Sequence, residues 1–167
     1  MGSRYMKTIS RYSVSKGTAR QVASLPVGTS YHAAAWSNGS VYTFGGYTST
    51  NTRVASIIKY DPETNNATKL NVSLPFPVTQ SCAVARGSDE ILIIGGSTGT
   101  NGNLTVSRFT PSTETVTKVD VTGYAAPLSA TACAYVPKLD RVYLFGGQDT
   151  SLLDQVLYID MSRPVAG

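Results

Sequence analysis

The residues best able to do chemistry in this 167-residue chain are its single histidine, His32, and its two cysteines, Cys82 and Cys133. Imidazole nitrogen and thiolate sulfur are the usual ligands of Zn²⁺ and other transition metals, and two thiols can instead oxidise to a disulfide. Each of the three lies thirteen residues before a Gly-Gly doublet, so a structural repeat could gather them. The carboxylates offer less. Asp61, Glu63, Asp89, Glu90, Asp140, Asp149, Asp154 and Asp160 are scattered among turn-forming stretches. No pair has the setting of a glycosidase acid and nucleophile, and no serine stands in a motif with a histidine.

The doublets define the repeat. They begin at Gly45, Gly95 and Gly146, 50 and 51 residues apart. Each closes a β-prone run: Val41-Tyr42-Thr43-Phe44, Ile91-Leu92-Ile93-Ile94 and Val142-Tyr143-Leu144-Phe145. Upstream lie small-residue runs, His32-Ala33-Ala34-Ala35, Cys82-Ala83-Val84-Ala85 and Cys133-Ala134-Tyr135-Val136. Downstream, Ile57-Ile58-Lys59-Tyr60-Asp61-Pro62 matches Val106-Ser107-Arg108-Phe109-Thr110-Pro111 and, more loosely, Val156-Leu157-Tyr158-Ile159-Asp160. A fourth β-prone run follows in two copies, Ala67 to Val72 and Val116 to Val121.

Four such runs per repeat, separated by turn clusters such as Asn38-Gly39 and Asp61-Pro62-Glu63-Thr64-Asn65, predict one antiparallel propeller blade per repeat. The first strand is small because it lies nearest the axis, where neighbouring blades crowd. The Gly pair ends the second strand where backbone meets backbone, which a Cβ would prevent.

At these residues the sequence resembles the Kelch-repeat family, whose blades run a hydrophobic strand into a Gly-Gly doublet, then a Tyr-Asp-Pro type turn, then a Trp in the fourth strand. The resemblance spans Ile9 to Asp160 and departs at the Trp, whose places hold Ala19, Ala67 and Val116. It implies an all-β fold, a Kelch-type β-propeller segment of about three four-stranded antiparallel blades, or half a propeller. Residues 1–29 would hold the third and fourth strands of an incomplete blade, 30–79 and 80–129 a complete blade each, and 130–167 the first three strands of another. Propellers close with about 4 to 8 blades. The chain is therefore read either as a segment of a longer propeller or as a subunit that pairs head to tail with a second copy in a six-bladed ring. Thirteen strands do not divide into fours, which favours the segment.

That geometry weighs against the chemistry of the first paragraph. Equivalent positions on neighbouring blades should sit further apart than two ligands of one Zn²⁺, so no metal site is expected. A Cys82–Cys133 disulfide is disfavoured on the same ground, since bridging requires Cα atoms within about 7 Å, and the thiols read as small apolar filler. Radical-copper oxidases and sialic-acid mutarotases use related propellers, but none of their active-site residues is matched here. No catalytic residue and no cofactor is expected. The alternative is a fragment of a galactose-oxidase-like or mutarotase-like enzyme whose catalytic blades lie elsewhere, or a self-assembling structural subunit.

The loops carry the expected function. Connections from second to third strand, and from fourth strand to the next blade's first, should emerge on one face. Tyr47, Arg53, Phe76, Tyr124 and Gln148 lie there. Their mix of aromatic and polar groups suits a protein partner, and the resemblance implies the same: a non-catalytic interaction or scaffolding module, its partners a protein, the remaining blades, or a second copy.

Net charge is +4, with Arg4, Lys7, Arg11, Lys16 and Arg20 in the first twenty residues and no acid among them. Loosely spaced and alternating with Ser and Tyr, these cations read as a protected strand edge, not a nucleic-acid arm. No apolar run approaches the ~20 residues of a membrane helix. Sequons at Asn38, Asn66, Asn71 and Asn103 would suit a secreted protein, whereas two unpaired thiols lean toward a reducing compartment, so no localisation follows.

Overall fold

The computed structural model describes residues 6–99, 105–121 and 128–162. Its strands are β1 (Thr8–Ser13), β2 (Thr18–Ser24), β3 (Thr29–Ser30), β4 (Ala33–Ser37), β5 (Ser40–Phe44), β6 (Tyr47–Thr48), β7 (Ser56–Asp61) and β8 (Asn66–Ser73). They continue as β9 (Cys82–Ala85), β10 (Ile91–Ile94), β11 (Val106–Thr110), β12 (Thr115–Val119), β13 (Ala132–Val136), β14 (Arg141–Phe145) and β15 (Val156–Asp160). One 3-10 turn, Pro137–Leu139, is the only helical piece among the described residues.

Apart from the short β3–β6 pair, the strands form a β1–β2 pair, a first full sheet β4–β5–β7–β8, a second full sheet β9–β10–β11–β12 and a last sheet β13–β14–β15. Every pairing is antiparallel. The chain is all-β, as a propeller segment requires. The two short strands, β3 and β6, are additions to the thirteen expected; both lie in loops.

Burial follows the stacking of sheets. In the first full sheet, Tyr42, Phe44 and Ile57 point toward the second, where Ile91, Ile93 and Phe109 meet them. The Phe109 ring lies 5.1 Å from Tyr42 and 5.7 Å from Phe44, both edge-on. The opposite face of the second sheet presents Leu92, Ile94 and Val106 to Val142, Leu144 and Ile159 of the last. Strand β10 is therefore buried on both sides, which explains its unbroken Ile-Leu-Ile-Ile.

The three Gly corners are conformational copies. The first glycines have φ of 68°, 63° and 57° (Gly45, Gly95, Gly146) and the second 108°, 102° and 111° (Gly46, Gly96, Gly147). A Cβ on Gly96 would sit 2.5 Å from Val78 Cγ2 and 2.8 Å from the Thr79 carbonyl, so only glycine fits.

The register of the first strand against the second is not copied. Ala33 faces Phe44, Cys82 faces Ile94 and Ala132 faces Phe145, although their distances upstream of the doublets are twelve, thirteen and fourteen residues. The cause is the first turn. Asn38-Gly39, with φ of 47° and 74°, makes a two-residue hairpin. In the second full sheet the Arg86 N–H still reaches the Glu90 carbonyl around three residues, and in the last sheet four separate Val136 from Arg141. Each repeat slides by one residue, and in a strand one residue exchanges the faces.

That slide overturns the expectation for the cysteines. Cys82 is the counterpart of Ala33, on the side of the second full sheet that faces the last. Cys133, opposite Leu144, is the counterpart of Ala34 and points back. The two meet as a disulfide with Cα atoms 6.1 Å apart. With both thiols paired, the argument for a reducing compartment loses its premise.

An ion cluster ties the same two sheets at the turns between their first and second strands. Arg86 donates from Nε and Nη2 to the two Asp140 oxygens at 2.7 and 2.8 Å, and from Nη1 to Glu90 at 3.0 Å. Arg108 approaches the other Glu90 oxygen at 3.0 Å, and the Tyr135 hydroxyl donates to Asp140 at 2.8 Å. Asp140 itself holds a left-handed conformation, φ 48°. Arg86 keeps the Asp140 carboxyl below the usual carboxylate range. Because the folded value is depressed, this contribution is complete above about pH 4 and is lost as pH falls through the folded value. Replacing Arg86 with methionine is expected to destabilise by about 1–2 kcal/mol, the low end for a charged hydrogen-bonded group because the cluster is partly solvated. Urea unfolding at pH 7 and pH 3 checks this, with the difference between wild type and R86M shrinking at pH 3.

Candidate partner-binding loop face

The loop face is built by one clasp used three times. The residue that leads into each blade pairs with the residue after each Gly doublet: Ser30 with Tyr47, Thr79 with Ser97 and Ser129 with Gln148. In the second and third copies the paired residues exchange both backbone hydrogen bonds, at 2.7 and 3.0 Å and at 2.8 and 2.9 Å. The two loop classes thus lie side by side on one face, where the sequence placed them.

Among the five candidate residues, Tyr47 and Arg53 come together. Tyr47 bridges to Arg53 across the loop, and the Arg53 guanidinium stacks 4.9 Å from the Tyr47 ring centroid. Arg53 Nη2 donates to the Gly99 carbonyl at 3.3 Å, which carries the cluster onto the loop of the next sheet. Arg53 Nε is buried without a partner. Stacking on an aromatic face leaves a guanidinium's in-plane donors available to a ligand.

Sequence reasoning missed Tyr31. It stands edge-on to Tyr47 at 6.3 Å and is 63% exposed. Its φ of 56°, unusual outside glycine, turns it onto this face; its counterparts Gln80 and Ala130 have φ of 56° and 55°.

The remaining candidates separate. Phe76 packs against the first hydrophobic core and is largely structural in its contacts. Gln148 is exposed on the last sheet, bridging to Ser129 and Leu152. Tyr124 lies outside the described residues, as does Asn103.

The groups considered for chemistry have local duties. His32 shares a 3.2 Å hydrogen bond between its Nδ1 and Thr29 Oγ1, and burial pushes its imidazole below the usual range, favouring the neutral form. The sheet register makes Ser81 and Thr131, not the cysteines, its counterparts. Asp61 accepts from the Glu63 N–H at 2.8 Å and the Thr64 hydroxyl at 2.7 Å. Asp149 accepts from the Ser151 N–H at 2.9 Å and Asp160 from the Ser162 N–H at 3.1 Å. These carboxylates hold turns, as their sequence setting predicts.

A family model described as the KLHDC2/KLHL20/DRC7 Kelch-repeats domain matches residues 4–164. No curated protein matches the chain.

Proposed function

The chain belongs to the Kelch-repeat family, and from that premise we propose that it is a non-catalytic protein-interaction module whose loop face grips its partner through Tyr31, Tyr47 and Arg53. Kelch-repeat domains of this type generally serve as interaction modules. The observation that carries the site is the stacked Tyr47–Arg53 pair reaching from one sheet to the Gly99 carbonyl of the next. Aromatic and arginine side chains are the groups that dominate interface energetics, and here an exposed Tyr31 stands beside the half-buried Tyr47–Arg53 pair. Gln148, exposed beside the clasp of the last sheet, is assigned to the rim of the same surface, and Phe76 supports that surface from the core side.

Selection of a displayed peptide library on the wild-type chain supplies defined ligands for the test. The Tyr31→Ala/Tyr47→Ala/Arg53→Ala variant is expected to bind them at least ~30-fold more weakly, the equivalent of a 2 kcal/mol hot spot, while its melting temperature stays within a few degrees. Undiminished binding by that variant refutes the site.

A further inference from the structure

We propose that Asn66 and Asn71, on outer strand β8, each carry an N-linked oligosaccharide, so that this chain folds in an oxidising lumen where such sugars are attached. The proposal does not rest on the loop-face reading. Strand β8 is the outermost of its sheet, whereas Tyr31 leads into β4, the innermost.

The first observation is the Cys82–Cys133 disulfide between the second full sheet and the last. Disulfides form and persist in secreted, luminal and cell-surface proteins and are rare in a reducing cytosol. The endoplasmic-reticulum lumen, one such compartment, is also where asparagine in the triplet Asn-X-Ser/Thr receives its sugar. The chain holds four of these triplets, Asn38-Gly39-Ser40, Asn66-Ala67-Thr68, Asn71-Val72-Ser73 and Asn103-Leu104-Thr105. The bridge thus gives the triplets the setting in which they are read.

The second observation is what the asparagines do in the fold. Asn38 and Asn65 stand at left-handed positions, φ 47° and 54°, which asparagine tolerates better than most residues. Asn38 makes the first hairpin turn, and Asn65 Oδ1 accepts from the Tyr60 hydroxyl at 3.1 Å. Turn geometry accounts for both. Asn66 and Asn71 lie instead within strand β8, where asparagine is disfavoured, and neither side chain makes a hydrogen bond among the described residues. Asn71 falls in a bulge: Lys69 faces Ile58 and Ser73 faces Ser56, so residues 70–72 stand against Ile57 alone. Leu70 and Val72, on either side, pack into the first core, which turns Asn71 outward. Asn66, Asn71 and the two residues that complete their triplets, Thr68 and Ser73, are all exposed, whereas Ser40 of the Asn38 triplet is buried. The fold makes no use of these two asparagines and leaves room for a sugar on each.

Strand β8 also has a reason to be shielded. At eight residues it is the longest described strand, it pairs only with β7, and Lys69 is its single charge. An unpaired edge of that length invites pairing with another chain, and a branched sugar obstructs it. In the transfer, Asn Nδ2 forms a bond to C1 of the first N-acetylglucosamine of an oligosaccharide linked to polyprenyl pyrophosphate. The bond from that carbon to the phosphate oxygen breaks, polyprenyl pyrophosphate leaves with the electron pair, and the amide gives up one proton.

The test uses the protein purified from its native cells. After reduction, trypsin places the two sites on separate peptides, Asn66 on 60–69 and Asn71 on 70–86. Peptide N-glycosidase in heavy-oxygen water is expected to strip a sugar from each and leave labelled aspartate at positions 66 and 71, with Asn65 unlabelled as the internal control. Expressed in the same cells, Thr68→Ala and Ser73→Ala, both at exposed positions, are each expected to abolish the label at their own asparagine and leave the other. Recovery of either peptide solely in unmodified form overturns the assignment at that asparagine, and both unmodified overturn the proposal. Peptide capture by the loop-face triple variant is measured separately, so the two readings fail independently.

Discussion

Reducing the Cys82–Cys133 disulfide is expected to lower the stability of the chain by about 4 kcal/mol. The bond closes a loop with a sequence separation of 51 residues, and the loop-closure entropy it removes from the unfolded chain is worth about that much. Cys82 is also buried, 5% exposed, between the second and last sheets, so the bridge fastens together the inner strands whose stacking holds the second hydrophobic core. For a chain of this length each kcal/mol moves the melting temperature by about 2–4 °C, so dithiothreitol should lower it by roughly 8–16 °C. The Cys82→Ser/Cys133→Ser variant should begin at the lower temperature and ignore the reductant. An unreduced chain that takes up iodoacetamide under denaturing conditions, or a wild type indifferent to dithiothreitol, contradicts the bridge.

Phe109→Ala should be as damaging, by about 3–5 kcal/mol, or some 6–20 °C in melting temperature. The ring is fully buried and touches Tyr42 and Phe44 edge-on, so truncation removes both its transfer free energy and two aromatic contacts across the junction of the full sheets. Collapse to fill the cavity is limited by the Gly corner at that junction, where the Gly46 N–H already meets the Val78 carbonyl at 2.8 Å. Leu152→Ala, at a side chain 85% exposed, should change stability by less than about 0.5 kcal/mol. Denaturant titration of both variants decides the matter: similar losses would mean the aromatic cluster is not the core of that junction.

Much of the fold is legible in the residues because its signals are local. A Gly-Gly doublet needs two successive positive φ values, and the three copies adopt them alike. Asn38-Gly39 fixes a hairpin through the conformation those two residues tolerate, and Asp61 sets its turn by capping the amides just ahead of it. The candidate site is legible to the same depth. Tyr47 and Arg53 stand at fixed places after a Gly corner, which brings them to the loop face. Tyr31 gives no such signal, because its left-handed backbone and its contact with Tyr47 arise only once the segment before β4 is clasped to the segment after the doublet. Phe76, on the same class of loop, turns inward because the first core has room for it.

The cysteines mark where local reading ends. Spacing from the doublets places His32, Cys82 and Cys133 in one column, and that spacing is real in the sequence. Side chains in a strand alternate faces, however, and the first turns of the three blades grow from two to three to four residues. Cys82 and Cys133 therefore look toward each other across a junction instead of the same way around the axis. The order and kind of strands came from residue types acting over a few bonds. Which side chains meet between sheets came from a register that a single added residue reverses, and only the folded stack fixes it.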